Sequence, residues 1–187
     1  IVDATNYVLH ELGHPVHAFD LDKLEGGEIN IRYAQTGETM LPLGADAKEI
    51  ELSAEDLVIA DAAKPIALAG VKGGAASSVD ENTTNLLLET ATFTPSAVRR
   101  SSRRHGIASD SSYRFERQVP DRQVPIASER LLQLILSVAG GEAAPPTMVG
   151  TIAPPVAALL ADSAPAIPSI DPLPNSSLFF DQRFASE

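Results

Sequence analysis

Apolar positions recur with two different periods along the first 142 residues, and each period assigns its own kind of element. Ala4, Tyr7, Val8 and Leu12 fall at helical spacing behind Asp3, which predicts a short helix over about 3–12, stopped by Gly13 and Pro15. Residues 28–33 alternate instead, with Ile29, Ile31 and Tyr33 on one side, as a half-buried strand does; Ile50 and Leu52 repeat the pattern after a turn at 44–46. Residues 57–60 and 66–69 are continuous apolar runs of strand length, separated by a turn, and read as interior strands. Val124, Ala127, Leu131, Leu134, Ile135 and Val138 make the strongest helical stripe, and Gly140 with Gly141 ends it.

One stretch breaks the simple pattern. Leu86, Leu87 and Leu88 read as an interior strand ending on Glu89, an ionisable group where an apolar residue would cost less. Thr94 and Pro95 then predict a helix cap and first turn, with the helix running to about Arg104 and closing at Gly106. Arg99, Arg100, Arg103 and Arg104 project over one side of that helix, with no acid between Thr90 and Ser109. A solvated face is the ordinary meaning of such a run. Here the chain carries 25 acidic against 14 basic residues, net charge −11, yet eight of the 14 fall within 99–130. That overall acidity argues against a general nucleic-acid coat, while a local arginine face suits a phosphate backbone.

Composition bounds the rest. A chain of 187 residues, 44% apolar, can bury one core, assigned to 1–142; residues 143–187, rich in proline, alanine and serine, read as a linker or poorly ordered tail. The absence of cysteine excludes disulfides, zinc–thiolate sites and thiol nucleophiles. No signal-peptide pattern and no apolar run of membrane-spanning length is present, so no membrane role is expected. The chain opens on Ile1 and is read as a fragment.

Two motifs need weighing. The glycine-rich run Gly70-Val71-Lys72-Gly73-Gly74-Ala75 lacks both dinucleotide and Walker spacings, and means close backbone approach rather than a phosphate cradle. HELGH, His10 to His14, matches a zinc-hydrolase string with His17 beyond it. Yet Gly13 and Pro15 disfavour the continuous helix that would place His10, Glu11 and His14 on one face, and no metal is assigned.

Four blocks carry a resemblance: DATNYVLHELGHPVHAFDLDKLEGG (3–27), ALAGVKGG (67–74), NLLLETATFTP (85–95) and RRHGIASDSSYRFER (103–117). In this order and spacing they resemble the tRNA-editing domain of the bacterial phenylalanyl-tRNA synthetase beta subunit. The resemblance implies an α+β fold, a mixed β-sheet flanked by helices, whose pocket hydrolyses tyrosine mischarged onto tRNA(Phe). A synthetic pocket for phenylalanine rejects one added hydroxyl only about a hundredfold, so a second, hydroxyl-reading site is useful. By block matching, the hydroxyl-recognising glutamate of the family falls on Glu89, and further substrate-binding positions fall on Pro15, Gly70, Gly73 and Ser111. The catalytic positions fall on His17, Thr5, Asn6 and Ser109, with His17 orienting or deprotonating a water. Arg99, Arg100, Arg103 and Arg104 are expected to contact RNA. This chain has Ser109 and Ser111 where the family typically has threonine and then alanine, and Gln118 where it usually has glycine. For the parent enzyme the resemblance implies ATP and Mg2+ at the alpha subunit, an alpha2-beta2 assembly and a cytoplasmic location, with no cofactor in this segment. A non-catalytic structural or tRNA-docking module is the alternative.

Overall fold

Seven consecutive buried residues, Leu86–Thr92, form the strand about which the other elements are laid. In the computed structural model, residues 1–150 are described, together with the backbone course of 178–185. In chain order the elements are α1 (Val2–Leu12), β1 (Val16–Asp20), β2 (Asn30–Tyr33), β3 (Thr39–Met40), β4 (Ile50–Glu51), β5 (Leu57–Ala60), β6 (Pro65–Leu68), β7 (Lys72–Gly73) and β8 (Leu86–Thr92). There follow α2 (Pro95–His105), α3 (Asp110–Phe115), α4 (Val124–Ala139), β9 (Glu142–Ala143), β10 (Thr147–Val149) and β11 (Leu178–Ala185). One sheet has the order β1-β8-β11-β10, with β9 also on β11; a second runs β2-β5-β6-β7; β3 and β4 make a separate pair. The α+β class is the one observed, and every described pairing is antiparallel.

Alternation along β8 builds two cores. Leu86 and Leu88 face one way and pack with Ala18 of β1, Val8 of α1 and the Ala127, Leu131 and Ile135 stripe of α4. Leu87 and Ala91 face the other way, toward a larger core shared with β5 and β6, Val98 of α2 and Phe115 of α3. Full burial of side chains such as Leu131 and Leu87 stabilises by roughly 1.5–3 kcal/mol each. The two helices that cover the first face are also tied at their rims, where the Arg130 guanidinium donates to both oxygens of Glu11, at 2.6 and 2.9 Å.

Three sequence expectations change. Glu89 stands in the middle of β8, not at its end, because Thr90 and Thr92 are strand formers that carry the ladder onward. Thr94 precedes α2 without a side-chain cap bond, although Pro95 takes the first turn and Gly106 closes the helix at φ 65° as expected. The linker assigned to 143–187 gives way at both ends to strand. β10 and β11 extend the central sheet, the latter through a phenylalanine-rich run whose strand propensity the overall composition of the segment hides. Residues 151–177 and 186–187 lie outside the described residues.

Candidate functional site

Strand register decides which chemistry meets. In the antiparallel β1–β8 pair His17 lies directly opposite Glu89, so both side chains leave the sheet on the same face, on the side of the larger core. Phe19, two residues on, packs its ring edge-on to His17 at 4.5 Å between centroids. Glu89 is 7% exposed and, among the described residues, has no hydrogen-bond or ion-pair partner; burial pushes its carboxyl up to about 8. Burial, and then the charge of Lys72, lower His17 to about 4, so the imidazole is neutral at physiological pH. Its Nε2 is buried and, among the described residues, unpartnered.

The glycine run supplies the opposite wall. A Cβ at Gly73 would lie 2.7 Å from His17 Cε1 and 2.8 Å from Nε2, so only glycine leaves the ring where it is. Gly70 turns at φ 69°, and a Cβ there would press on Phe93 and Val98 at 2.8 and 3.0 Å. The third wall is α3, an element absent from the periodicity reading. Ser109 caps it, accepting from the Ser112 amide at 3.0 Å within a capping box, while its own hydroxyl donates to the Val71 carbonyl at 2.6 Å. This bond fastens the helix start to the glycine run. Ser111 and Phe115, four residues apart, therefore share the face that looks into the space between.

That space has two chambers. The inner one is bounded by Pro15, His17, Gly70, Gly73, Glu89 and Ser111, with Phe93 and Phe115 as aromatic walls. The outer and larger one is bounded by Thr5, Asn6, His17, Gly73, Ser109 and Ser111. All nine residues assigned to catalysis or substrate binding thus border one continuous site, joined at His17, Gly73 and Ser111. Ser109 is already engaged in two structural hydrogen bonds, and the Thr5 hydroxyl donates to the Val2 carbonyl at 2.7 Å. Lys72 also borders both chambers and was missed, although it sits inside the glycine run that drew notice.

The arginine face is not uniform. Acids from elsewhere in the chain answer two of its four charges: Arg104 pairs with Asp56 and Glu55, and Arg99 pairs with the Glu116 carboxylate at 3.9 Å while also donating to the Glu116 backbone carbonyl at 3.3 Å. Asp56 is fully buried. Burial alone would raise its pKa, but hydrogen bonds from Ser101, His105 and the Ser53 amide hold it low, so Arg104 belongs to a structural cluster. Arg100 and Arg103 are exposed and, among the described residues, unpaired. The HELGH string is also resolved. α1 ends at Leu12 and Gly13 turns at φ 69°, so His14 is off the helix. It is fully buried, edge-on to Phe115, and among the described residues no hydrogen bond of normal geometry reaches either ring nitrogen. Burial lowers its pKa to about 4 against a smaller opposing contribution from the Ala91 backbone. No group of three histidines or carboxylates suited to a metal occurs among the described residues, and no helix among them is long and apolar enough to cross a membrane.

With this geometry in hand, similarity to known proteins is specific. The family described as B3/4 domain matches residues 1–140. The phenylalanine–tRNA ligase beta subunit of Anaeromyxobacter dehalogenans is 52% identical over 141 residues, 75% of this chain and 17% of that protein. Those of Chlorobium luteolum and Moorella thermoacetica are each 49% identical, covering 82% and 78% of this chain and 19% and 18% of theirs. The chain spans less than a fifth of the length of these relatives.

Proposed function

The chain belongs to the B3/4 domain family, and from that premise we propose that it hydrolyses tyrosine esterified to tRNA(Phe), as the editing segment of a phenylalanine–tRNA ligase beta subunit. The observation that carries this reading is Glu89, a buried carboxyl without a partner among the described residues, in a chamber it shares with the rings of Phe93 and Phe115. Such a group costs stability unless a ligand completes it. The tyrosine hydroxyl completes it; phenylalanine leaves it orphaned, and a site built this way rejects the analogue lacking the hydroxyl far more strongly than an apolar pocket rejects an added one.

The chemistry asked of the rest is modest, since an aminoacyl ester is already activated. Neutral His17 accepts a hydrogen bond from the attacking water through Nε2, or takes its proton, beside the space that Gly73 leaves open. Backbone amides at Gly70 and Gly73 are the proposed donors to the developing oxyanion; the neighbouring amides of Val71 and Gly74 are committed to the Leu68 and Ile66 carbonyls. Thr5 and Asn6 border the outer chamber, where the terminal nucleoside would lie, and Ser111 narrows the passage between the chambers. Arg100 and Arg103 are the helix charges free to meet tRNA phosphates. ATP, Mg2+ and the alpha subunit of an alpha2-beta2 assembly in the cytoplasm are proposed for the parent enzyme only, and none of that chemistry is assigned to these residues.

The test is deacylation of tyrosyl-tRNA(Phe) against phenylalanyl-tRNA(Phe) by the chain and by Glu89→Ala. Selective release of tyrosine, with selectivity lost in the variant, supports the reading. A folded chain that binds tRNA(Phe) but releases neither amino acid would leave a docking module instead. In that binding assay Arg100→Ala with Arg103→Ala should lower the salt slope by about one to two if both hold phosphates.

A further inference from the structure

Lys72 is a positive charge in a site otherwise without a free one. It lies on β7, opposite Leu68, with Gly73 opposite Ala67, and it borders both chambers where they join. Among the described residues no other lysine or arginine borders either chamber, and Lys72 makes no ion pair. The carboxylate of the outer chamber, Asp110, is already answered by Arg114 at 3.2 Å. The carboxyl of the inner chamber, Glu89, is largely protonated at neutral pH. Lys72 is nonetheless close enough to His17 for its charge to be felt there. An unanswered ammonium at the neck of a site proposed to hold an aminoacyl group and a nucleoside, neither of which carries a negative charge, calls for an anion joined to that nucleoside. In a chain of net charge −11 it also marks the one place in the site that attracts a polyanion rather than repelling it.

We propose that Lys72 is the phosphate anchor of this site, its ammonium holding the phosphodiester of the terminal nucleotide and so fixing how far the ester enters toward His17 and Glu89. Lysine suits the task as a compact point charge on a flexible stem, needing no bidentate geometry. Lys72 is in this sense a positioning residue: it touches the nucleotide, not the reacting ester. The inference rests on the editing reading above and adds to it the group that recognises the nucleic-acid part of the substrate.

The experiment compares tyrosyl-tRNA(Phe) with tyrosyl-adenosine, the same ester without a phosphate, as substrates of the full chain and of Lys72→Met. For the tRNA ester, KM should rise about tenfold or more while kcat changes by less than about twofold. The dependence of log KM on log salt should become shallower by about one. The phosphate-free ester should be cleaved equally by both proteins, and Lys72→Arg should restore KM for the tRNA ester. Equal losses on both esters would overturn the proposal, because Lys72 would then act on the ester itself; no change on either would overturn it as well. Binding of adenosine 5′-monophosphate against adenosine, followed by NMR titration, separates this inference from the editing reading. If the wild-type chain cleaves neither ester, editing falls; a preference for the monophosphate that vanishes in Lys72→Met still upholds the anchor, and equal binding of the two by the wild type refutes it.

Discussion

Replacing Glu89 with glutamine should make the protein more stable, by an amount that depends on pH in a defined way. The buried carboxyl titrates at about 8 in the folded protein against an ordinary 4.5, with desolvation as the cause. Between those values the unfolded chain has released a proton that the folded chain still holds, so stability falls as pH rises through this window. The slope is about 1.4 kcal/mol per pH unit, which accumulates to roughly 3 kcal/mol at pH 7 and levels off above pH 8. Water in the chamber and relaxation of its walls solvate part of the charge, so about 2 kcal/mol at pH 7 is the expected difference. Glutamine has no such titration. Urea unfolding of both proteins from pH 5 to 9 is the assay, with the midpoint difference read at constant m. The other carboxylates cancel between the two, and the gap should be small at pH 5, widen to about pH 8, and then hold. Parallel profiles across the whole range would refute the reasoning, since they would mean that the carboxyl is as well solvated folded as unfolded. The glutamine amide can still accept from a phenol, so tyrosine selectivity should survive in Glu89→Gln better than in Glu89→Ala.

Three further perturbations follow from the same geometry. Hydrolysis that depends on neutral His17 should be flat from pH 6 to 7.5 and decline only as pH approaches about 4, where the imidazole protonates; a kcat/KM profile falling with a midpoint near 6.5 would contradict its burial. Gly73→Ala places a methyl within 2.8 Å of the His17 ring and 3.0 Å of Leu43, and displacing the ring should lower kcat/KM by about a hundredfold, with a stability loss of only about 1–2 kcal/mol on denaturation. Gln118 holds φ 72°, the one non-glycine residue in the left-handed region among those described, so Gln118→Gly should raise stability by about 1 kcal/mol in the same urea assay without altering hydrolysis.

Element identity was legible in the sequence where a period persisted. The stripe from Val124 to Ile135 became α4, the runs at 57–60 and near 66–69 became β5 and β6, and Pro95 and Gly106 bounded α2 as their backbone chemistry dictates. What failed did so for local reasons. α3 has only six residues, less than two turns, and is held by the Ser109 cap and its bond to Val71 rather than by an apolar stripe, so no periodicity announced it. The arginine helix read as one basic face because the acids it meets come from other parts of the chain: Asp56 and Glu55, more than forty positions away, pair with Arg104, and Glu116, just past α3, pairs with Arg99, which leaves Arg100 and Arg103 exposed and, among the described residues, unpaired.

The catalytic and substrate-binding residues assigned through resemblance line two adjoining chambers, yet the logic of that candidate site lies in pairing that no sequence period encodes. Alternation on β8 puts Glu89 on the same face as Leu87 and Ala91, a position that by itself asks for an apolar side chain. The register Val16↔Thr90 and His17↔Glu89 then brings the one imidazole of β1 beside the one carboxyl of β8. A slip of a single residue would turn His17 and Phe19 together toward the core under α1 and α4 and leave Glu89 opposite Val16 or Ala18 with no base at hand. The ladder is therefore the device that makes two costly groups into a site. Gly73 secures the result from the opposite wall, since any larger residue would push His17 out of the position that the register gives it. Lys72, one residue away on the same short strand, borders both chambers where they join. In the proposed reading, the acid that reads the amino acid, the imidazole that serves the water and the ammonium that meets the phosphate stand at strand positions on β8, β1 and β7.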